Sequence, residues 1–259
     1  MRARKRFGQH FLTDQGVLQQ LVAALNLRRD DRVFEIGPGH GALTDLLVGQ
    51  VDVYRAVEID RDLVPFLRAR HSELELINAD ILKVDLAEIL DAGTPWRLLG
   101  NLPYNISTPL IDVLTRFINA QPGRIADMHF MLQREMAQRL TAVPGTKAWG
   151  RLSVMVQLEF NVERVFDVAP ESFSPPPKVW SSVVRMIPSA AEVAQADIQA
   201  LDRILRLAFS GRRKRLSNSL KTLNIDWSAT NLDPGLRADN VTASGFLSLV
   251  PFARGSESR

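Results

Sequence analysis

A chain of 259 residues, 46% apolar and 24% charged, has the composition of an ordinary globular protein and the length for one large domain or a large domain plus a small one. It contains no cysteine, which excludes disulfides and thiolate metal sites, and its four histidines (His10, His40, His71 and His129) lack ligand-like spacing, so no metal is expected. The net charge is only +3, so basic patches must be offset by acidic ones, and no apolar run approaches the roughly 18 residues of a membrane span.

The amino terminus, Met1 to His10, is basic but has no apolar segment or cleavage site after it, so it is not read as a secretory signal, and a cytoplasmic location is expected. From Asp31 to Pro188 strand and helix patterns alternate. Strands are predicted at Arg32–Ile36, Val53–Ile59, Leu74–Asn78, Trp96–Leu99 and Ile125–Leu132, with helices starting near Gly41, Arg61, Val84 and Ser107. This rhythm predicts a mostly parallel sheet with helices on both faces. A helix follows over Gly150–Glu159, then two valine-rich strands, Val162–Val168 and Ser181–Ile187, joined by a stretch stiffened by Pro175, Pro176 and Pro177. Beyond Pro188 the pattern is helical: Ile198, Leu201, Ile204, Leu205 and Ala208 share one face, and Arg212-Arg213-Lys214-Arg215 opens a run ending near Leu223. The expected division is 1–188 for the sheet domain and 189–259 for a small helical domain.

Residues that can do chemistry gather at strand ends. The first strand runs into Gly37-Pro38-Gly39-His40-Gly41, where glycines let backbone approach a ligand and open a helix whose amino terminus favours an anionic group. Taken alone, this loop also fits a nicotinamide dinucleotide fold. Glu58 closes the second strand, 21 positions after Gly37, where a carboxylate can accept from ribose hydroxyls. Asp80 closes the third, able to accept from an adenine amino group with Ile81 against the ring. The fourth ends in Asn101-Leu102-Pro103-Tyr104. Asn101 offers a side-chain carbonyl to an N–H. Pro103 forces Leu102 into an extended path that can turn its carbonyl into a cleft, and Tyr104 offers a face for stacking a base. These residue types suit an exocyclic amine on a flat ring.

With these features in register, the chain resembles S-adenosylmethionine-dependent methyltransferases that act on adenine N6, and so the Rossmann-like class I methyltransferase fold. Arg6–Leu12, Glu35–Gly39, Gly100–Asn105 and Phe173–Val179 together resemble the ribosomal RNA adenine N6,N6-dimethyltransferase family, over nearly the whole chain and in the form that acts on the small subunit. His10 is a variation where many relatives carry Asn. The resemblance implies S-adenosylmethionine as cofactor, with His10 and Leu12 over it, Gly37, Gly39 and Gly41 along its methionine part, Glu58 and Ile59 at the ribose, Asp80 and Ile81 at the adenine, and Asn101 where cofactor and target meet. It implies that Asn101, Leu102, Pro103 and Tyr104 hold the target base, with Phe173 on its other face. The implied target is a pair of adjacent adenosines in a hairpin loop near the 3′ end of small-subunit ribosomal RNA, within an immature particle, modified by a monomer. The basic groups Arg4, Lys5 and Arg6, and Arg212, Arg213, Lys214 and Arg215, are then read as phosphate contacts. Two rivals are a DNA adenine N6-methyltransferase and a non-catalytic ribosome-assembly factor.

Overall fold

The computed structural model describes residues 9–103, 105–189, 195–211 and 213–253, and the chain divides into two compact units. The first takes in Met1–Ala137 and Glu163–Pro188, the second Gln138–Val162 and Ser189–Arg259.

In the first unit a short strand β1 (Phe11–Leu12) leads into helix α1 (Gln15–Leu25), and strands then alternate with helices. They are β2 (Arg32–Ile36), α2 (Thr44–Leu47), β3 (Val53–Glu58), α3 (Val64–Arg70), β4 (Glu75–Asn78), α4 (Leu86–Ile89), β5 (Trp96–Asn101), α5 (Ser107–Ala120) and β6 (Ile125–Gln133). After α6 (Arg134–Leu140) and α7 (Arg151–Glu159) come β7 (Phe160–Val168), the two-residue β8 (Phe173–Ser174) and β9 (Ser181–Pro188). The main sheet has seven strands in the order β4-β3-β2-β5-β6-β9-β7. The pairs β2–β3, β2–β5, β3–β4 and β5–β6 are parallel, and β9 is antiparallel to β6. The two valine-rich late strands, β7 and β9, are neighbours in the sheet.

Burial explains the strands. In β2, Val33, Phe34 and Ile36 are almost wholly enclosed, the continuous apolar run of a strand covered on both faces. One cover is α1. Asp14 starts it by accepting from the N–H groups of Gly16 and Val17, and Asn26, with φ at 44°, ends it. Its stripe of Leu18, Leu21 and Leu25 shares a core with Val33, Leu99, Met131 and Val183. The helix predicted from Gly41 begins at Thr44 instead, because Gly41 holds φ at 82°, outside the helical region. Since β2 has β3 on one side and β5 on the other, the strand order reverses there. The crevice this leaves lies at the carboxyl ends of the parallel strands.

The second unit contains α7 with α8 (Gln195–Ala208), α9 (Leu216–Ser219), α10 (Ala243–Leu247) and α11 (Val250–Ala253). It is larger than the expected 189–259, because Gln138–Val162 folds with it. Ala142, Trp149 and Val154 share one core with Leu201, Ile204, Leu205 and Phe246, and the Trp149 indole N–H donates to the Val241 carbonyl at 3.0 Å. The basic run does not open a long helix. Arg215 is extended, α9 starts only at Leu216, and a short 3-10 turn over Lys221–Leu223 completes the segment.

Candidate active site

The carboxyl ends of β2, β3 and β5, with the turn beyond β4, surround a cleft of about 370 Å³. Its walls include His10, Leu12, Gly37, Gly39, Glu58, Ile59, Asp80, Ile81, Asn101, Leu102 and Pro103, so residues far apart in sequence meet in one place. Gly41 is not on the wall; its part is the turn that precedes α2.

One half of the cleft is built on Glu58. The Gly37 N–H donates to the Val57 carbonyl at 2.9 Å, which seats the glycine loop beside the end of β3. The Glu58 carboxylate then accepts from the Gly39 N–H at 3.0 Å through Oε2 and from the Asp60 N–H at 2.8 Å through Oε1. Gly39 lies at φ 61°, and a Cβ there would stand 2.9 Å from the Phe11 ring, so only glycine fits. Glu58 is buried, and burial raises its pKa against the lowering effect of the two N–H donors. Farther along, Asp80 caps its own turn by accepting from the Leu82 N–H at 3.1 Å, with Ile81 buried beside it. Two carboxylates therefore face a cleft with apolar walls at Ile59 and Ile81. A ligand with a hydroxylated ring and an amino-bearing flat ring fits that donor set.

The other half is built on Asn101, the last residue of β5. Its Nδ2 donates to the His10 main-chain carbonyl at 2.8 Å, which fixes the amide and leaves Oδ1 as the acceptor of the pair. The Leu102 N–H donates to the Met131 carbonyl at 3.2 Å, carrying the extended path one residue past the strand, and Pro103 begins a turn closed by the Ile106 N–H at 3.1 Å. Tyr104 lies outside the described residues. The His10 Nδ1 is 2.7 Å from the Pro175 carbonyl oxygen, so the ring ties the proline run to the cleft rim.

Phe173 does not line the cleft. It is 4% exposed, pairs with Leu12 across the β1–β8 ladder and belongs to the core beneath the cleft rather than to its wall. Side chains alternate along a strand, and the pairing with β1 turns Phe173 inward. It packs beside Leu12, which does line the cleft. On the second unit, Arg213, Lys214 and Arg215 are all exposed, and none forms an ion pair among the described residues. Arg4, Lys5, Arg6 and Arg212 lie outside the described residues.

Sequence reasoning missed Glu35. It sits within β2 on the cleft wall, 3% exposed, and Oε2 accepts from the Thr44 hydroxyl at 2.6 Å and the Tyr54 hydroxyl at 2.8 Å. Burial pushes its pKa up to about 7 despite these two donors. A charged residue inside the otherwise apolar Val-Phe-Glu-Ile strand was the available signal. Gly100 was also missed: a Cβ there would stand 2.5 Å from the Ile36 carbonyl oxygen, so glycine is what lets β5 pass the end of β2.

A sequence model of the family described as ribosomal RNA adenine dimethylase matches residues 1–253. The chain is 46% identical over 255 residues to the ribosomal RNA small subunit methyltransferase A of Pseudomonas aeruginosa, covering 96% of this chain and 94% of that one. Its structure is similar to the crystal structure of a dimethyladenosine transferase from Plasmodium falciparum (TM-score 0.78, 26% identity, 95% of this chain and 98% of the other). It is similar too to that of the 23S rRNA methyltransferase ErmE (TM-score 0.70, 26% identity, 94% and 99%). The Rossmann-like class I methyltransferase sheet with helices on both faces is therefore the fold of the first unit, with a helical unit added. No helix among the described residues is long and apolar enough to cross a membrane.

Proposed function

The chain belongs to the ribosomal RNA adenine dimethylase family, and from that membership we propose that it methylates N6 of two adjacent adenosines in a hairpin loop near the 3′ end of small-subunit ribosomal RNA, giving dimethyladenosines. The reading places it in the cytoplasm as a monomer, acting on an immature small-subunit particle during ribosome biogenesis. The observation that carries it is the anchored Asn101 amide, its Oδ1 left as an acceptor, on a residue that lines the same cleft as Glu58 and Asp80.

When bound, S-adenosylmethionine supplies a methyl group on a positively charged sulfur. Glu58, already fixed by two backbone N–H groups, holds the ribose hydroxyls through its remaining lone pairs, with Ile59 beside it. Asp80 takes the adenine amino group and Ile81 its ring. Gly37 and Gly39 let backbone close on the methionine part. At the target, Asn101 Oδ1 and the Leu102 carbonyl accept from N6–H. An adenine amine is a poor nucleophile because its lone pair is delocalised into the ring. Two acceptors would favour a pyramidal nitrogen and stabilise the positive charge that develops on it as it takes up the methyl group. The proton of the resulting ammonium passes to water. Tyr104 is assigned the stacking contact on its residue type, worth about 1–3 kcal/mol, which offsets part of the cost of taking the base out of its stack.

The rival DNA reading is disfavoured by the 46% identity to a small-subunit enzyme, and the assembly-only reading by the intact Asn101 site. The test is transfer of labelled methyl to small subunits lacking adenine dimethylation, with DNA alongside and nucleosides read by mass spectrometry. Dimethyladenosine in the subunit RNA is expected. Label in DNA alone supports the first rival, and cofactor binding with no label anywhere supports the second.

A further inference from the structure

Trp180 is 46% exposed, next to Val179 at 44%, an unusual place for an indole in a chain whose other large side chains are mostly enclosed. It is held rather than loose. Its carbonyl accepts from the Arg134 N–H at 2.9 Å, and the Arg134 guanidinium carbon lies 5.8 Å from the ring centroid, a cation–π contact. Arg134 and Arg164 share one carboxylate, Asp167, at 3.4 Å and 3.5 Å, and both remain substantially exposed, as does Lys178. The patch is thus a fixed aromatic face with a guanidinium beside it and an exposed lysine two positions away in sequence.

Its position in the sheet gives it a use. Asn101 pairs with Met131, and Met131 with Val183. Because β9 is antiparallel to β6, the start of β9 lies at the same sheet edge as the end of β5. Val183 is therefore two strand spacings, about 10 Å, from Asn101, and Trp180 lies three residues, about 10 Å, beyond Val183 in the strand direction, out past the end of the sheet. The segment between Phe173 and Trp180 is itself tied to the cleft rim by the His10–Pro175 contact.

We propose that Trp180, steadied by Arg134, is a stacking platform for an unpaired nucleotide close to the target adenosines, with Arg134, Arg164 and Lys178 against the neighbouring phosphates. The proposal rests on the functional reading above and adds a substrate-positioning surface outside the cleft. A base offers a flat face and its backbone a negative charge, which together match an exposed indole with a guanidinium beside it; an apolar protein surface would match the indole alone.

The experiment uses the full chain and small subunits lacking adenine dimethylation. Trp180→Ala is expected to raise the KM for the particle roughly 5- to 100-fold, with kcat and cofactor affinity unchanged, and Trp180→Phe to recover most of the loss. A photoreactive benzoylphenylalanine placed at position 180 is expected to crosslink to ribosomal RNA. An unchanged KM in Trp180→Ala, or a crosslink to a ribosomal protein and not to RNA, overturns the platform. If instead the unaltered protein fails to methylate the particles, the functional reading fails, an outcome distinct from loss of Trp180 alone. Unchanged cofactor affinity shows that the variant has kept its fold, and the crosslink gives an answer even if Trp180→Ala does not fold.

Discussion

Asn101 Nδ2 donates to the main-chain carbonyl of His10 at 2.8 Å, across 91 residues of sequence. The acceptor is backbone, so the orientation of the Asn101 amide does not depend on which side chain stands at position 10. The histidine ring has a separate bond, to Pro175. His10→Ala is therefore expected to slow methyl transfer by less than tenfold, since the main-chain acceptor for Asn101 remains and the bond to Pro175 is worth about 1 kcal/mol, as for an ordinary hydrogen bond. Single-turnover transfer rates check this; a loss as large as that of an Asn101 variant contradicts it.

Glu58 joins the glycine loop to the end of β3 and faces the cleft. Glu58→Ala removes the acceptor of two backbone N–H groups as well as a ligand contact. Hydrogen bonds to a charged group are worth about 1.5–3 kcal/mol, so cofactor affinity is expected to fall roughly 10- to 100-fold. Calorimetric titration reads it directly, and unchanged affinity removes Glu58 from the cofactor site.

Glu35 makes the fold sensitive to pH. Burial raises its pKa from 4.5 to about 7, so the folded chain holds this proton more tightly than the unfolded chain. Its stabilising contribution is complete below pH 4.5 and is lost as pH rises to about 7. Glu35→Gln keeps an oxygen for Thr44 and Tyr54 but cannot ionise. Relative to the unaltered protein its Tm is expected to rise with pH between 5 and 7.5, by several degrees for a difference of up to about 3 kcal/mol. A constant Tm difference across that range contradicts the assignment.

Gly100→Ala places a methyl 2.5 Å from the Ile36 carbonyl oxygen, in a strand interior where neither backbone can move freely. Overpacking of this kind costs about 1–3 kcal/mol, so a Tm several degrees lower is expected, with cofactor affinity reduced because β2 and β5 both line the cleft. Thermal unfolding and calorimetry test the two effects separately.

Replacing Arg213, Lys214 and Arg215 by Gln removes three exposed cations that make no ion pair among the described residues. Particle binding is expected to weaken and its dependence on log salt to flatten by about 2, with the folded second unit unchanged by circular dichroism. An unchanged salt slope makes these residues plain surface.

The seven strands of the main sheet were legible to within a residue or two; β2, β3 and β5 are buried on both faces and read as apolar runs. Glu58, Asp80 and Asn101 follow from those strand ends, which is why residues read separately line one cleft. What was not legible depended on distant partners. Trp149 assigns its segment to the helical unit through a bond to Val241, which no local pattern shows. The inward turn of Phe173 is set by pairing with Leu12 in a two-residue strand too short for periodicity to reveal. The hydrogen-bond partners of Glu35, Thr44 and Tyr54, lie on later elements, so the acid looked like an interruption of the strand.

The most direct test is methyl transfer to under-methylated small subunits by Asn101→Ala, with cofactor affinity measured on the same protein. Loss of an oriented acceptor at a developing charge is expected to slow transfer by roughly 100-fold or more while cofactor affinity changes only a few-fold. Transfer at the rate of the unaltered protein contradicts the account, because the amide that His10 holds in place would then do nothing to the reacting amine.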